Sequence, residues 1–168
     1  MKRLTPFLLA LVLLLAGCGS DGTSEPITRE NMGHTTIYHT SLGYAVSLGM
    51  PKGEIDEMLG SPRASGDGYF YTDNIYLEFE DGLLSLVYVM GEDSNKWIAK
   101  SEATIGQTTR AQIIDSYGDP TNDRESTIYY YLSDNGDVCT SLLDEDAVSY
   151  ISFTFSDDVL WDIFMGIR

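Results

Sequence analysis

One stretch of this chain occurs twice, and that recurrence restricts the fold more than any other feature. The first copy runs from Val46 to Pro62 and the second from Thr104 to Pro120. Each opens on an apolar–Gly step, Leu48-Gly49 and Ile105-Gly106, and each closes on Gly-x-Pro, at Gly60 to Pro62 and Gly118 to Pro120. Between those ends Ile55 and Leu59 match Ile113 and Tyr117, four apart on one face of a short helix. A Gly after the last apolar residue suits a left-handed cap, and a Pro two further on cannot continue the helix. Downstream, Phe79 to Leu84 aligns with Phe155 to Leu160, an acidic turn between strand residues. The repeat predicts an α+β fold: two tandem repeats, 44–100 and 101–168, each with short helices packed on one face of an antiparallel meander sheet.

Strand signals follow each helix. After Pro62 come Tyr69 to Tyr71, Ile75 to Glu80 and Leu83 to Met90, with Asp73-Asn74 and Asp81-Gly82 as tight-turn dipeptides. Alternation sends Ile75, Leu77 and Phe79 to one side and Tyr76, Glu78 and Glu80 to the other. Lys96 to Ala99 reads equally as a short helix or a strand. After Pro120 the runs are Ile128 to Leu132, Val138 to Leu143, Tyr150 to Phe155 and Val159 to Met165. Ile151, Phe153 and Phe155 repeat the phase of Ile75, Leu77 and Phe79. The run from Val138 reads as an extra strand with acidic loops at each end, Asp134 to Asp137 and Asp144 to Asp146.

The chain begins with Lys2 and Arg3 and then an apolar run from Phe7 to Ala16. That run is too short for a membrane-spanning helix, which needs about 20 residues, and suits the apolar part of a secretory signal. It ends in Leu15-Ala16-Gly17-Cys18, which resembles the lipobox of bacterial lipoproteins. The resemblance implies a signal peptide over 1–17, cleavage before Cys18, and diacylation of the Cys18 thiol. The protein is then expected on the outer side of a bacterial membrane or envelope, since two or three acyl chains anchor stably. Residues 18–43 read as the lipidated Cys and a flexible tether of Gly, Ser, Asp and Thr.

Charge narrows the partners. Lys and Arg number 10 against 26 Asp and Glu, a net of −16 that becomes −18 once Lys2 and Arg3 leave with the leader. Such a surface repels nucleic acid and anionic lipid and favours cationic or metal-bearing partners. Cys139, without a second mature cysteine to pair with except the lipidated one, reads as a buried small hydrophobe, with a reactive thiol as the sharper alternative. His34 and His39, with Glu30 nearby, read as solvated tether residues, because nothing completes a metal-ligand set. The acidic runs lack the spacing of a calcium loop. No cofactor is expected.

The unit of apolar–Gly, short helix, Gly-x-Pro and three strands resembles the SmpA/OmlA family of small outer-membrane lipoproteins and the related tandem fold of the β-lactamase inhibitory protein. The positions that carry it are Gly49, Ile55, Leu59, Gly60 and Pro62, then Gly106, Ile113, Tyr117, Gly118 and Pro120. The first family implies a lipid-anchored member of a barrel-assembly complex. The second implies two joined units that grip an enzyme with the open face of their sheet. This chain departs from the second in having no cysteine pair for its disulfides, so inhibition of a β-lactamase is not carried over.

No enzyme emerges from the residues. The only histidines fall in the tether, so a Ser-His-Asp or Cys-His arrangement would need its base from there. No Gly-rich phosphate loop follows a strand. The expected function is a non-catalytic, lipid-anchored module that binds a protein partner through the open face of its sheet. The alternative is a surface module for a small ligand, metal or cell-wall component. Phe70 and Tyr130 set inward place Tyr69, Tyr71, Tyr129 and Tyr131 outward with Tyr76, and these five tyrosines are the expected partner-binding residues.

Overall fold

Alternating β-branched and aromatic residues dominate the second half of the chain, and they form long strands. The computed structural model describes residues 27–168; the leader, Cys18 and the first part of the tether lie outside them. The strands are β1 (Thr36–His39), β2 (Tyr44–Ser47), β3 (Arg63–Ser65), β4 (Gly68–Phe70), β5 (Ile75–Glu80) and β6 (Leu83–Met90). They continue with β7 (Trp97–Ala99), β8 (Ala103–Thr104), β9 (Asn122–Asp123), β10 (Thr127–Ser133), β11 (Ala147–Ser156) and β12 (Val159–Ile167). Two α-helices, α1 (Lys52–Leu59) and α2 (Arg110–Tyr117), follow β2 and β8.

One sheet has eight strands in the order β3-β4-β5-β6-β12-β11-β10-β9, and the other has four in the order β2-β1-β7-β8. The two meanders meet where β6 pairs antiparallel with β12, Val89 opposite Ile163 and Val87 opposite Met165. The Asp81-Gly82 and Asp157-Asp158 hairpins turn with both residues at positive φ, the geometry that matches strand twist.

The fold is thus mostly β, which corrects the expected α+β class of helices packed on two sheets. Each helix has only eight residues. Together they bury Ile55, Ile113 and Tyr117, far too little to cover eight strands. The four-stranded sheet supplies most of the remaining cover through Ile37, Val46, Trp97 and Ala99, all in one core cluster with Leu77, Tyr130 and Phe153. Burial of each such large side chain stabilises by roughly 1.5–3 kcal/mol. Sequence reasoning missed this second sheet because its strands are short and one of them, β1, lies in the presumed tether.

Local geometry at the two duplicated stretches is alike. The Gly49 and Gly106 amides donate to the Leu84 and Leu160 carbonyls, each at 2.8 Å. Gly60 and Gly118 end the helices at φ 82° and 83°, with ψ −173° and −166°. That is the extended positive-φ region rather than the left-handed helical cap expected, and it is open essentially to Gly alone.

Two further expectations are corrected. Val138 to Leu143 forms no strand, only a single bridge from Val138 to Leu132. There Asp144 Oδ2 accepts from the Thr140 amide, the Thr140 hydroxyl and the Ser141 amide, so a side chain takes the backbone donors a ladder would need. Residues 36–39 are not tether but β1, paired on both sides by β2 and β7. Lys96 to Ala99 resolves as strand β7 after Lys96.

Candidate functional site: the open face of the large sheet

The side chains of β5, β6, β11 and β12 alternate between the core and the opposite face, which no element among the described residues covers. Cross-strand register draws one continuous row over that open face. Phe70 lies opposite Tyr76, Tyr76 opposite Tyr88, Tyr88 opposite Phe164, Phe164 opposite Ser152, and Ser152 opposite Tyr129. The neighbouring row runs Glu78, Leu86, Gly166, Tyr150 and Tyr131. The rings are in contact: Phe70 with Tyr76 at 5.1 Å between centroids, Tyr88 with Phe164 at 5.7 Å, and Phe164 stacked on Tyr150 at 5.7 Å. Close approach explains two glycines in the strands. A β-carbon at Gly68 would lie 2.6 Å from the Tyr76 ring, and one at Gly166 would lie 2.9 Å from Tyr150.

The polar groups of this face pair with one another, the Thr127 and Thr154 hydroxyls at 3.2 Å among them. Tyr76 Oη donates to Glu78 Oε1 at 2.8 Å, and Tyr88 Oη donates to Asp162 Oδ2 at 3.1 Å. Burial lifts the Asp162 carboxyl above the usual carboxylate range, against the Tyr88 hydroxyl and the Gly91 amide, which lower it. Oδ1 of Asp162 is buried. Around these side chains, centred on Ser152, is a shallow depression of about 430 Å³. The sheet's own arginines sit at its two edges, Arg63 over Phe70 at 5.3 Å and Arg124 over Tyr129 at 5.6 Å.

Of the five tyrosines expected outward, Tyr76, Tyr129 and Tyr131 lie on this face. Tyr69 and Tyr71 do not, and their assignment is corrected. Tyr71 is 8% exposed within the core cluster, and its hydroxyl donates to Asp56 Oδ1 of α1 at 2.6 Å. Tyr69 packs against the core beside Phe79, under the Lys52 ammonium at 4.4 Å. A three-residue strand with an aromatic at each of its last two positions has no readable phase. Pairing of Phe70 with Tyr76 decides it, and puts Phe70 outward. Tyr130 is fully buried as expected. Tyr88, Tyr150, Asp162 and Phe164 were missed. Alternation along Leu83 to Met90, Tyr150 to Phe155 and Val159 to Met165 was the signal that finds them.

The histidines are not solvated. His39, 1% exposed, accepts the Leu42 amide on Nδ1 at 3.0 Å, so its proton sits on Nε2 and faces Asp73 Oδ2 at 2.7 Å. Both ring nitrogens are engaged, and Lys96 holds the other Asp73 oxygen at 2.8 Å. This triad ties β1 to the turn before β5 and offers no free base. His34 lies against Tyr117, with Lys100 Nζ 2.9 Å from Nε2. It lines a cleft of about 680 Å³ together with Lys100, Asp134 and Asp137, a lining of mixed charge. Cys139 is buried, and that burial, with Asp144, Asp146 and Asp137 nearby, pushes its thiol pKa up, away from nucleophilic reactivity. Among the described residues no three His, Cys, Asp or Glu side chains gather as metal ligands. No described helix is long and apolar enough to cross a membrane.

No protein-family model and no curated protein matches the chain. Among solved structures it is similar to a DUF4309 family protein (YjgB) from Bacillus subtilis subsp. subtilis str. 168. The two are 10% identical with a TM-score of 0.41, over 70% of this chain and 78% of that one. A likeness of that degree carries no argument about fold or function.

Proposed function

We propose that this chain is a lipid-anchored, extracytoplasmic protein-interaction module, without catalytic activity, that holds a basic partner protein on the open face of its eight-stranded sheet. The observation behind this reading is the unbroken row Phe70, Tyr76, Tyr88, Phe164, Ser152 and Tyr129. The core lies on the other side of the same strands, and cross-strand pairing of the rings supports the sheet without calling for so long an aromatic row. Tyr and Phe supply large, rigid contact area at small entropic cost and concentrate at interface centres. The net charge, −16 for the whole chain and −18 without Lys2 and Arg3, steers a cationic partner toward the surface and disfavours an anionic one. Lipidation of Cys18 would hold the module at a membrane surface, where that partner is met.

The first prediction tests the face. Residues 27–168 carrying Tyr76→Ser, Tyr88→Ser, Tyr129→Ser and Tyr150→Ser should fold yet lose capture of the proteins that the wild-type domain binds in a bacterial envelope extract. Hydrogen exchange on the wild-type complex should be slowed in β6, β11 and β12. A folded quadruple variant that captures undiminished, or protection confined to the 133–146 loop, sinks the reading.

A further inference from the structure

At the middle of the open face sits a carboxylate that no cation among the described residues meets. Asp162 is half-buried and lines the depression, with the Tyr88 hydroxyl donating to Oδ2 at 3.1 Å. None of the ion pairs among the described residues includes it. A charge so placed opposes folding unless something else compensates it. Among the described residues the rings beside it, Tyr88, Phe164 and Tyr150, also lack a cation, whereas the end rings of the row, Phe70 and Tyr129, each hold an arginine of the chain itself. The molecule therefore displays the mode of recognition at both ends of the row and leaves its centre unfilled.

We infer that the depression at Ser152 receives one arginine side chain of the partner protein, its guanidinium over the Phe164 and Tyr88 rings and against the Asp162 carboxylate. This rests on the proposed docking role of the open face and adds what the partner must present there. A guanidinium suits the place better than an ammonium. It is planar, weakly hydrated, stacks on aromatic rings and tolerates partial burial. The depression is walled by a sheet on one side only and cannot enclose most of a free small molecule, as small-ligand sites do. A side chain delivered by a larger surface needs no such enclosure. Ser152, 5% exposed at the floor, leaves room for the group because its own side chain is short.

The test uses residues 27–168 and two probes, N-acetyl-arginine methylamide and its uncharged analogue N-acetyl-citrulline methylamide, followed by amide chemical shifts at pH 7. The arginine probe should shift Tyr88, Ser152, Asp162 and Phe164, and the citrulline probe should bind about tenfold more weakly or less. Asp162→Asn should abolish the difference between the probes and weaken partner capture about tenfold or more, while melting at the same temperature as wild type or higher. Retained stability separates a recognition role from a structural one, since loss of a structural carboxylate lowers the melting temperature. Equal shifts from both probes, shifts elsewhere on the domain, or full capture by Asp162→Asn overturns the inference. The wider reading has its own failure, undiminished capture by the folded quadruple tyrosine variant, so the two are told apart.

Discussion

Single side chains divide here between those that knit the N-terminal segment to the body and those that face outward. His34 belongs to the first kind. Burial and the Lys100 ammonium push its imidazole below the ordinary range, while the Gly136 backbone and Asp137 pull the other way. The sign follows from linkage. With the folded pKa depressed, the unfolded chain binds a proton first as pH falls through about 6.5, so folding is opposed progressively below that pH until His34 itself protonates. Thermal stability should therefore fall more steeply between pH 7 and 5 in the wild type than in His34→Gln. Parallel melting-temperature profiles for the two proteins would remove His34 from the linkage. Asp162 runs the opposite way. Its raised folded pKa means that ionisation weakens the fold as pH rises through the carboxylate range.

Among the elements, the helices depend on how they end. Gly60 and Gly118 each donate their amide to the carbonyl four residues back, Asp56 and Ile114, at 2.9 and 2.8 Å. Nothing lies within 4 Å of a β-carbon built on either, so an Ala there meets no steric neighbour and reads the backbone conformation alone. Gly60→Ala and Gly118→Ala should each lose about 1–3 kcal/mol, the cost of a side chain in that positive-φ region. Gly53, in the first turn of α1 with ordinary φ and open space, is the control, and Gly53→Ala should be neutral or stabilising. Denaturant unfolding measures all three, and equal midpoints would refute the assignment of the helix ends. Gly68 is no such control. Although it reads as a loop residue in sequence, it lies in β4 beneath the Tyr76 ring, and Ala there collides with it.

For the molecule as a whole, the junction of β6 and β12 makes the two meanders one cooperative body. Val89 and Ile163 face each other there, both fully buried, in a core cluster that also holds Trp97 from the connecting segment. Ile163→Ala should cost about 2–5 kcal/mol, and calorimetry should show the whole transition moving as one. A second transition, unmoved by the substitution, would mean that the halves unfold independently. Much of this was legible locally. The short helices, their glycine ends, the acidic hairpins and the inward phase of Ile75, Leu77 and Phe79 all follow from neighbours a few residues apart, where steric and periodic rules act. The acidic balance is equally a matter of composition. What tertiary structure alone decided involves pairing between distant segments. Which face Phe70 takes, that residues 36–39 complete a second sheet, and that Tyr88, Phe164 and Asp162 converge on Ser152 depend on strand register. Register is set by long-range hydrogen bonding and burial, to which a three- or four-residue run in the sequence contributes too few alternations to be read.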